Sequence, residues 1–158
     1  MSDTSQSPGP APQPSHAQVG TDPTEVVTAF LAAMDALDIE KALTYAAEEV
    51  VYQNVPLPPA RGKEAFAKQV RWMGKVGTGF EGRIHNIAAN GPVVLTERTD
   101  VLKVRSWEAA FWVCGTFEVR DGKIVLWRDY FDWTTVLAAS AKGAVRALGS
   151  TVRGRLNR

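Results

Sequence analysis

The N-terminal half of the chain carries hydrophobic residues at the spacing of an α-helix. Asp22 has the side chain of a helix cap, and Pro23 suits the first helical position. The apolar positions that follow recur every three or four residues and are Val26, Val27, Phe30, Leu31 and Met34. This spacing predicts an amphipathic helix of about four turns that begins at Pro23.

Three shorter elements are predicted to follow this helix. A second helix covers about 39–46, and a short strand covers about 49–54. The run VPLPP at 55–59 can continue neither element, because proline lacks an N–H group and fixes its φ angle, so it predicts a rigid turn. A third helix begins at Gly62 and ends near Gly74.

The C-terminal half has the pattern of β-strands. Four apolar runs rich in β-branched and aromatic residues lie between Phe80 and Trp133, and a last helix is predicted over about 134–148. The runs are separated by turn signals at 90–92 (Asn-Gly-Pro), near 105–106 (Arg-Ser) and at 121–122 (Asp-Gly). Helices followed by a strand meander predict an α+β fold, in which a curved, mixed but mostly antiparallel sheet wraps around the N-terminal helices and encloses a pocket.

Length and composition fit this picture of one folded domain. The chain has 158 residues, of which 45% are hydrophobic and 22% charged, and this is ordinary for a soluble globular protein. The first segment is rich in Ser, Pro, Gln and Gly and cannot bury enough surface to order itself. We therefore expect a flexible leader over 1–21, a single folded domain over 22–150 and a basic C-terminal tail over 151–158.

Charge and cysteine content exclude several function classes. The net charge is +1, which favours neither nucleic acid nor a membrane surface as a partner. The single cysteine, Cys114, excludes an intrachain disulfide and a cysteine-based zinc site. No phosphate-binding glycine loop, metal-spaced cluster, membrane-length apolar run or secretory signal is visible, so a cytoplasmic protein without metal or cofactor is predicted.

Polar residues interrupt three of the predicted strands. Residues i and i+2 of a strand share a face, so Tyr52 lies with Asn54, and Arg98 lies with Asp100. Asp129 shares a face with Val125, Trp127 and Phe131, and this apolar face predicts that Asp129 points inward. A buried carboxylate needs a partner, and the forked guanidinium of Arg98 can bind two of them.

The pattern alone leaves simpler interpretations open. Arg98 and Asp100 also fit a solvated pair on one strand, and Asp129 also fits a purely structural ion pair. Tyr52 and Asn54 also fit the end of a strand next to a capped turn. Patterning by itself therefore predicts an α+β domain with a polar site in its pocket, and no more.

The same three segments resemble a known family. The stretches YQNVPLPPA at 52–60, TERTDVL at 96–102 and WRDYFD at 127–132 are similar to those of limonene-1,2-epoxide hydrolases, and the resemblance covers about 23–135. It implies the cone-shaped α+β fold shared with ketosteroid isomerases and polyketide cyclases, with a deep apolar pocket. It also implies a homodimer packed through the outer face of the sheet.

The resemblance also implies a role for each polar residue. Tyr52 and Asn54 match residues that hold the hydrolytic water, and Asp129 matches the general base. Arg98 matches a residue that bridges two aspartates, and Asp100 matches the general acid. Further residues expected to line the pocket, which the motifs do not fix, are Leu57, Met73, Phe80, Leu102, Phe111 and Trp127.

The sequence therefore predicts an epoxide hydrolase that needs no cofactor. Its substrates are a small apolar epoxide and water, its product is a vicinal diol, and no covalent intermediate forms. One alternative is an isomerase or cyclase on the same fold, which needs one aspartate but neither the Arg98 bridge nor Asn54. Another is a non-catalytic module that binds an apolar ligand, which gives no reason to pair two carboxylates inside.

Overall fold

The computed structural model describes residues 22–156, which form four helices and six strands within that range. The elements are α1 (Pro23–Asp35), α2 (Ile39–Thr44), β1 (Ala46–Asn54), β2 (Ala60–Arg61), α3 (Lys63–Val76), β3 (Gly79–Asn90), β4 (Val93–Val104), β5 (Trp107–Arg120), β6 (Lys123–Tyr130) and α4 (Trp133–Leu156).

The strands form one mixed sheet in the order β2-β1-β6-β5-β4-β3. The meander from β3 to β6 is antiparallel throughout, and its three turns lie where the sequence predicts them. β1 pairs with β6 in parallel, and this pairing places Tyr52 opposite Trp127 and Asn54 opposite Asp129. The predicted α+β fold class is confirmed.

Helices α1 and α3 cover the concave face of the sheet and supply half of the core. Asp22 caps α1 as predicted, since its carboxylate accepts the N–H of Thr24 at 2.9 Å. Phe30 is 1% exposed, and its ring packs edge-on against Trp127 with centroids 5.1 Å apart. The aromatic side chains that meet beneath the sheet are Phe30, Tyr52, Phe66, Phe117 and Trp127.

Some element boundaries differ from the predicted ones, and one short strand was not predicted. β1 begins at Ala46 instead of residue 49, because the parallel partner β6 extends the ladder to the pair Ala46–Ile124. The two-residue strand β2 is too short to leave a periodic signal. α4 continues to Leu156, eight residues beyond the predicted end at 148.

The predicted domain boundaries stay predictions. The proposed leader over 1–21 lies outside the described residues, and the helix of α4 continues past the predicted boundary between 150 and 151. None of the helices within 22–156 combines the length and apolar character needed to cross a lipid bilayer.

An apolar cavity of about 250 Å³ lies between the helices and the β3–β4 end of the sheet. Its walls come from the C-terminal ends of α1 and α3, from α2, and from β3 and β4. The side chains that line its interior include Met34, Leu37, Ile39, Met73, Phe80 and Leu102. Trp72, which lines this cavity as well, is 65% exposed on α3.

Candidate active site

Arg98 is fully buried on the inward face of β4 and forms the centre of a charged cluster. Its Nε and Nη2 donate to the two carboxylate oxygens of Asp100, at 2.8 and 3.2 Å. Nη2 also donates to Oδ2 of Asp129 at 2.6 Å. The guanidinium therefore bridges Asp100, two positions away in the chain, and Asp129, 31 positions away.

Strand alternation explains why this cluster faces inward. Thr96, Arg98 and Asp100 occupy successive inward positions of β4, and each is less than 7% exposed. Nη1 of Arg98 donates to the hydroxyl of Thr96 at 3.0 Å. Asp129 is 3% exposed on the inward face of β6, as its apolar neighbours predict.

The guanidinium lies over a position of β5 that has no side chain. Gly115 is paired in register with Thr96 on one side and with Asp129 on the other. A Cβ atom at position 115 would lie 3.0 Å from Oδ1 of Asp129 and closer still to Arg98 and Thr96. Sequence reasoning missed this residue, although an isolated glycine inside a strand is a signal of close approach.

Trp127 is a hydrogen-bond partner of Asp129 and belongs to the core. Its indole N–H donates to Oδ1 of Asp129 at 2.8 Å, so both oxygens of this carboxylate accept a hydrogen bond. The ring is 2% exposed, lies 4.5 Å from Tyr52 between centroids and stacks on Phe117. It is therefore placed in the core and does not line the cavity described above.

The parallel pairing of β1 with β6 places the remaining predicted residues at the same site. Asn54 lies opposite Asp129 in register, and its amide N–H donates to the hydroxyl of Tyr52 at 2.9 Å. Tyr52 is 5% exposed, and burial together with the charge of Asp129 raises the pKa of its phenol. The hydroxyl thus stays protonated, so it can donate a hydrogen bond as well as accept one.

The two carboxyls share one environment but differ in their donors. Burial raises the pKa of Asp100 to about 6, against the opposing effect of Arg98 and with smaller contributions from the charges of Asp129 and Asp35. Burial also raises the pKa of Asp129, while Arg98 and the indole of Trp127 oppose this. Each carboxyl accepts two hydrogen bonds: both donors of Asp100 belong to Arg98, whereas Asp129 has one donor from Arg98 and one from Trp127.

The cluster is balanced when it holds one proton. Burial disfavours the charge of Arg98, but Asp129 and Asp100 outweigh burial and raise the pKa of the guanidinium. One positive charge then needs one carboxylate and one neutral carboxyl, and the pair titrates as a unit. An adjacent acid and base are what general acid–base chemistry requires. Within residues 22–156, no three His, Cys, Asp or Glu side chains are grouped as metal ligands.

The other predicted pocket residues lie in three different places. Met73, Phe80 and Leu102 line the cavity. Leu102 lies on β4, two residues after Asp100. Phe111 pairs in register with Asp100 and packs against Phe131, with centroids 5.6 Å apart. Leu57 is 47% exposed, because a tight turn closed by its N–H and the carbonyl of Asn54 carries it away from the cavity.

The cavity and the carboxylates are therefore neighbours along β4. The lining of the cavity includes Leu102 but none of the three charged residues. Residues two apart on a strand are about 7 Å apart, so Asp100 is the charged group of the cluster closest to the cavity along this strand.

The chain is similar to known epoxide hydrolases. A family model of the limonene-1,2-epoxide hydrolase catalytic domain matches residues 21–142. The epoxide hydrolase EphG of Mycobacterium tuberculosis is 41% identical over 131 residues, which are 82% of this chain and 87% of that protein.

Solved structures give the same result. An LEH-like epoxide hydrolase from M. tuberculosis superposes with a TM-score of 0.76 at 40% identity, covering 83% of this chain and 98% of the other. A Catenulispora acidiphila protein with a ketosteroid isomerase-like fold has a TM-score of 0.67 at 20% identity, covering 74% of this chain and 92% of the other. The second similarity concerns the fold alone.

The substitution Gly115→Ala tests the packing around the guanidinium. The added methyl group forces Arg98 out of its bridge, so we expect the free energy of unfolding to fall by about 2–4 kcal/mol. Chemical denaturation measures this. Gly79→Ala is the control, since its methyl group meets only the flexible side chain of Lys103, at 3.2 Å. Equal losses in the two variants would contradict the close approach at Gly115.

The substitution Asp100→Asn tests the sign of the pKa shift. A pKa raised from 3.8 to about 6 means that the folded protein binds this proton more tightly than the unfolded chain does. The contribution of this bound proton to the free energy of unfolding is fully present below about pH 4 and is lost as the pH rises through about 6. The stability of Asp100→Asn relative to wild type should therefore increase between about pH 4 and pH 8, as measured by urea denaturation.

Asp38→Asn, at the exposed N-cap of α2, controls for the change in net charge. If the stability of Asp100→Asn relative to wild type instead decreases with rising pH, the ion pair with Arg98 outweighs burial and the pKa of Asp100 is lowered.

Proposed function

The chain belongs to the limonene-1,2-epoxide hydrolase family, and we propose that it adds water to a small apolar epoxide and releases a vicinal diol without a covalent intermediate. The observation that carries this proposal is the bridge from Arg98 to two buried carboxyls of unlike donor sets. Epoxide opening needs a base for the attacking water and an acid for the departing oxygen. A cluster that holds one proton contains both, because one carboxyl is ionised and the other is protonated.

Asp129 is the base in this scheme. Donors from Arg98 and Trp127 fix both of its oxygens, so the carboxylate has one orientation toward the attacking water. The water is held by Asn54 and Tyr52, which lie beside Asp129 and Trp127 in the parallel ladder. Positioning the water in advance removes much of the entropic cost of a two-molecule reaction.

Asp100 is the acid. Among the residues that the structure describes, Arg98 is its one hydrogen-bond donor, and its raised pKa of about 6 keeps a proton available near neutral pH. It is also the member of the cluster that adjoins the cavity through Leu102. The epoxide oxygen therefore approaches the acid from the cavity, and the water lies on the side of Asp129.

One turnover balances without any added reagent. The water oxygen bonds to an epoxide carbon as Asp129 takes one water proton, and the carbon–oxygen bond of the epoxide breaks as its oxygen takes the proton of Asp100. The diol then leaves, and a proton returns from Asp129 to Asp100. Arg98 contacts both carboxyls throughout, so the positive charge that balances the cluster does not have to move.

The cavity supports an apolar substrate of limited size. Its interior side chains are almost entirely aliphatic, aromatic or thioether groups, and its volume is about 250 Å³. An apolar pocket with a few polar groups at one end orients a ligand through those groups. A compact cyclic or terpene-like epoxide fits this description.

An isomerase or a ligand-binding module is less well supported. Either could use the same fold, but an isomerase needs a single base near a carbonyl, and a binding module needs no buried acid at all. Burying two carboxyls and a guanidinium is costly, and neither alternative uses the second carboxyl.

The outer face of the sheet supports a homodimer. Leu95, Trp112 and Tyr130 lie on this face of three adjacent strands and are 40–52% exposed. Large apolar side chains grouped on one exposed face are typical of an interface between copies.

The reaction is tested by single turnover in ¹⁸O-labelled water with limonene oxide and cyclohexene oxide. Direct attack by water places the label in the diol of the first turnover, whereas a covalent ester delivers unlabelled carboxylate oxygen first. Asp129→Asn should lower the rate by about 10²–10⁴-fold, because Asn cannot take the water proton. Asp132→Asn, an exposed cap three residues further on, is the matched control. Unlabelled diol in the first turnover would overturn the mechanism.

The dimer is tested by light scattering of Trp112→Glu. A charge in the centre of the outer face should shift the mass from dimer toward monomer. Trp72→Glu, at an exposed position on α3, should leave the mass unchanged. A wild-type protein that is monomeric at all concentrations would exclude the proposed interface.

A further inference from the structure

Asp35 is an acidic residue outside the charged cluster that reaches toward it. It is the last residue of α1, and its Oδ1 accepts the backbone N–H of Gly82 at 2.7 Å. Gly82 is the residue of β3 that pairs in register with Asp100. The carboxylate of Asp35 therefore lies beside the strand position opposite the proposed acid.

The carboxylate lies on the same face of the sheet as the side chain of Asp100. A Cβ atom at position 82 would lie 3.5 Å from Oδ1 of Asp35, and residues paired in register point their side chains to the same face. The contact joins residues 47 positions apart and fixes the end of α1 to β3.

The position is electrostatically unfavourable for a carboxylate. The C-terminal end of a helix carries partial negative charge, and the last turn of α1, Ala32-Ala33-Met34-Asp35, contains no basic residue. Burial raises the pKa of Asp35, the N–H of Gly82 opposes this, and the charge of Glu81 adds to it. A charge placed where it costs stability is typical of a functional position.

Few other charges act on Asp100 from the elements around it. Arg98 on its own strand lowers the pKa of Asp100, and Asp129 on β6 and Asp35 on α1 raise it. On β3, Glu81 and Arg83 form an ion pair at 2.7 Å, and Lys103 on β4 approaches Glu81 at 3.7 Å. Asp35 is therefore an anion near Asp100 that Arg98 does not contact.

We propose that Asp35 is a positioning residue of the reaction, whose negative charge, held by the N–H of Gly82, keeps the proton on Asp100. The role rests on the proposed function of Asp100 as the general acid. Asp35 itself does not contact the substrate or the water. It extends the range over which the acid is protonated toward higher pH, and so compensates for part of the opposing effect of Arg98.

The consequence appears in the pH dependence of the rate. The acid must be protonated, so the rate falls as the pH rises through the pKa of Asp100. Removing the charge of Asp35 lowers that pKa, and the fall should move to lower pH by a few tenths of a unit to about one unit. The fall on the acidic side, which reports uptake of a second proton by the pair, should move less.

The experiment compares wild type with Asp35→Asn, Asp35→Glu and Asp38→Asn. Asn keeps an acceptor for the N–H of Gly82 and removes only the charge, while Glu keeps the charge. The exposed Asp38 gives the same change in net charge three residues away. The first measurement is the pH profile of kcat with cyclohexene oxide. The second is a carbon NMR titration of Asp100 in protein labelled at the aspartate carboxyl, assigned with Asp100→Asn.

The proposal is supported if the titration midpoint of Asp100 is lower in Asp35→Asn alone and the alkaline fall of kcat shifts by the same amount. An unchanged midpoint, or equal shifts in Asp35→Asn and Asp38→Asn, overturns it. The NMR titration does not depend on turnover. A wild type inactive toward every epoxide would therefore contradict the proposed function, while the shift of the Asp100 midpoint would still decide the effect of Asp35 on its proton.

Discussion

A buried guanidinium has to be neutralised where it lies, and the architecture of the site follows from this requirement. Arg98 has no exposed surface, and a charge of this size is stable inside a protein only when it is paired and hydrogen-bonded. Two strands supply carboxyls that accept three hydrogen bonds from the guanidinium, and Thr96 accepts a fourth from Nη1. The strand between them has a glycine where the guanidinium passes. Removing any of these leaves a charge or a donor unpaired in the core.

The pairing that joins β1 to β6 gives this cluster its chemical asymmetry. The parallel ladder places Asn54 and Tyr52 on the side of Asp129, and the antiparallel β3–β4 pair places Gly82 and the end of α1 on the side of Asp100. One carboxyl therefore lies beside polar groups suited to holding water. The other lies two residues along β4 from Leu102, which lines the apolar cavity, and near a second acid. The difference between the proposed base and the proposed acid comes from the topology of the sheet.

Strand alternation and the resemblance together predicted much of this arrangement. The inward position of Asp129 follows from period-two patterning, and Arg98 follows as the charged partner that a buried carboxylate needs. The turns of the meander follow from local turn residues. What patterning could not provide depends on register between distant strands. It cannot show that the indole of Trp127 turns toward Asp129, that Gly115 lies beneath the guanidinium, or that Asp35 meets Gly82. Leu57 was expected at the pocket without a motif to fix its place, and the turn directs it outward.

The order in which the strands are synthesised affects when the bridge from Arg98 to the two aspartates can form. Arg98 and Asp100 leave the ribosome before Asp129, which follows Arg98 by 31 residues, and β6 completes the sheet between β1 and β5. Until β6 has emerged, the strands made earlier cannot close around a guanidinium with its full set of partners, and β1 has β2 but not β6 as its neighbour. Native closure of the sheet around Arg98 therefore awaits the synthesis of nearly the whole domain.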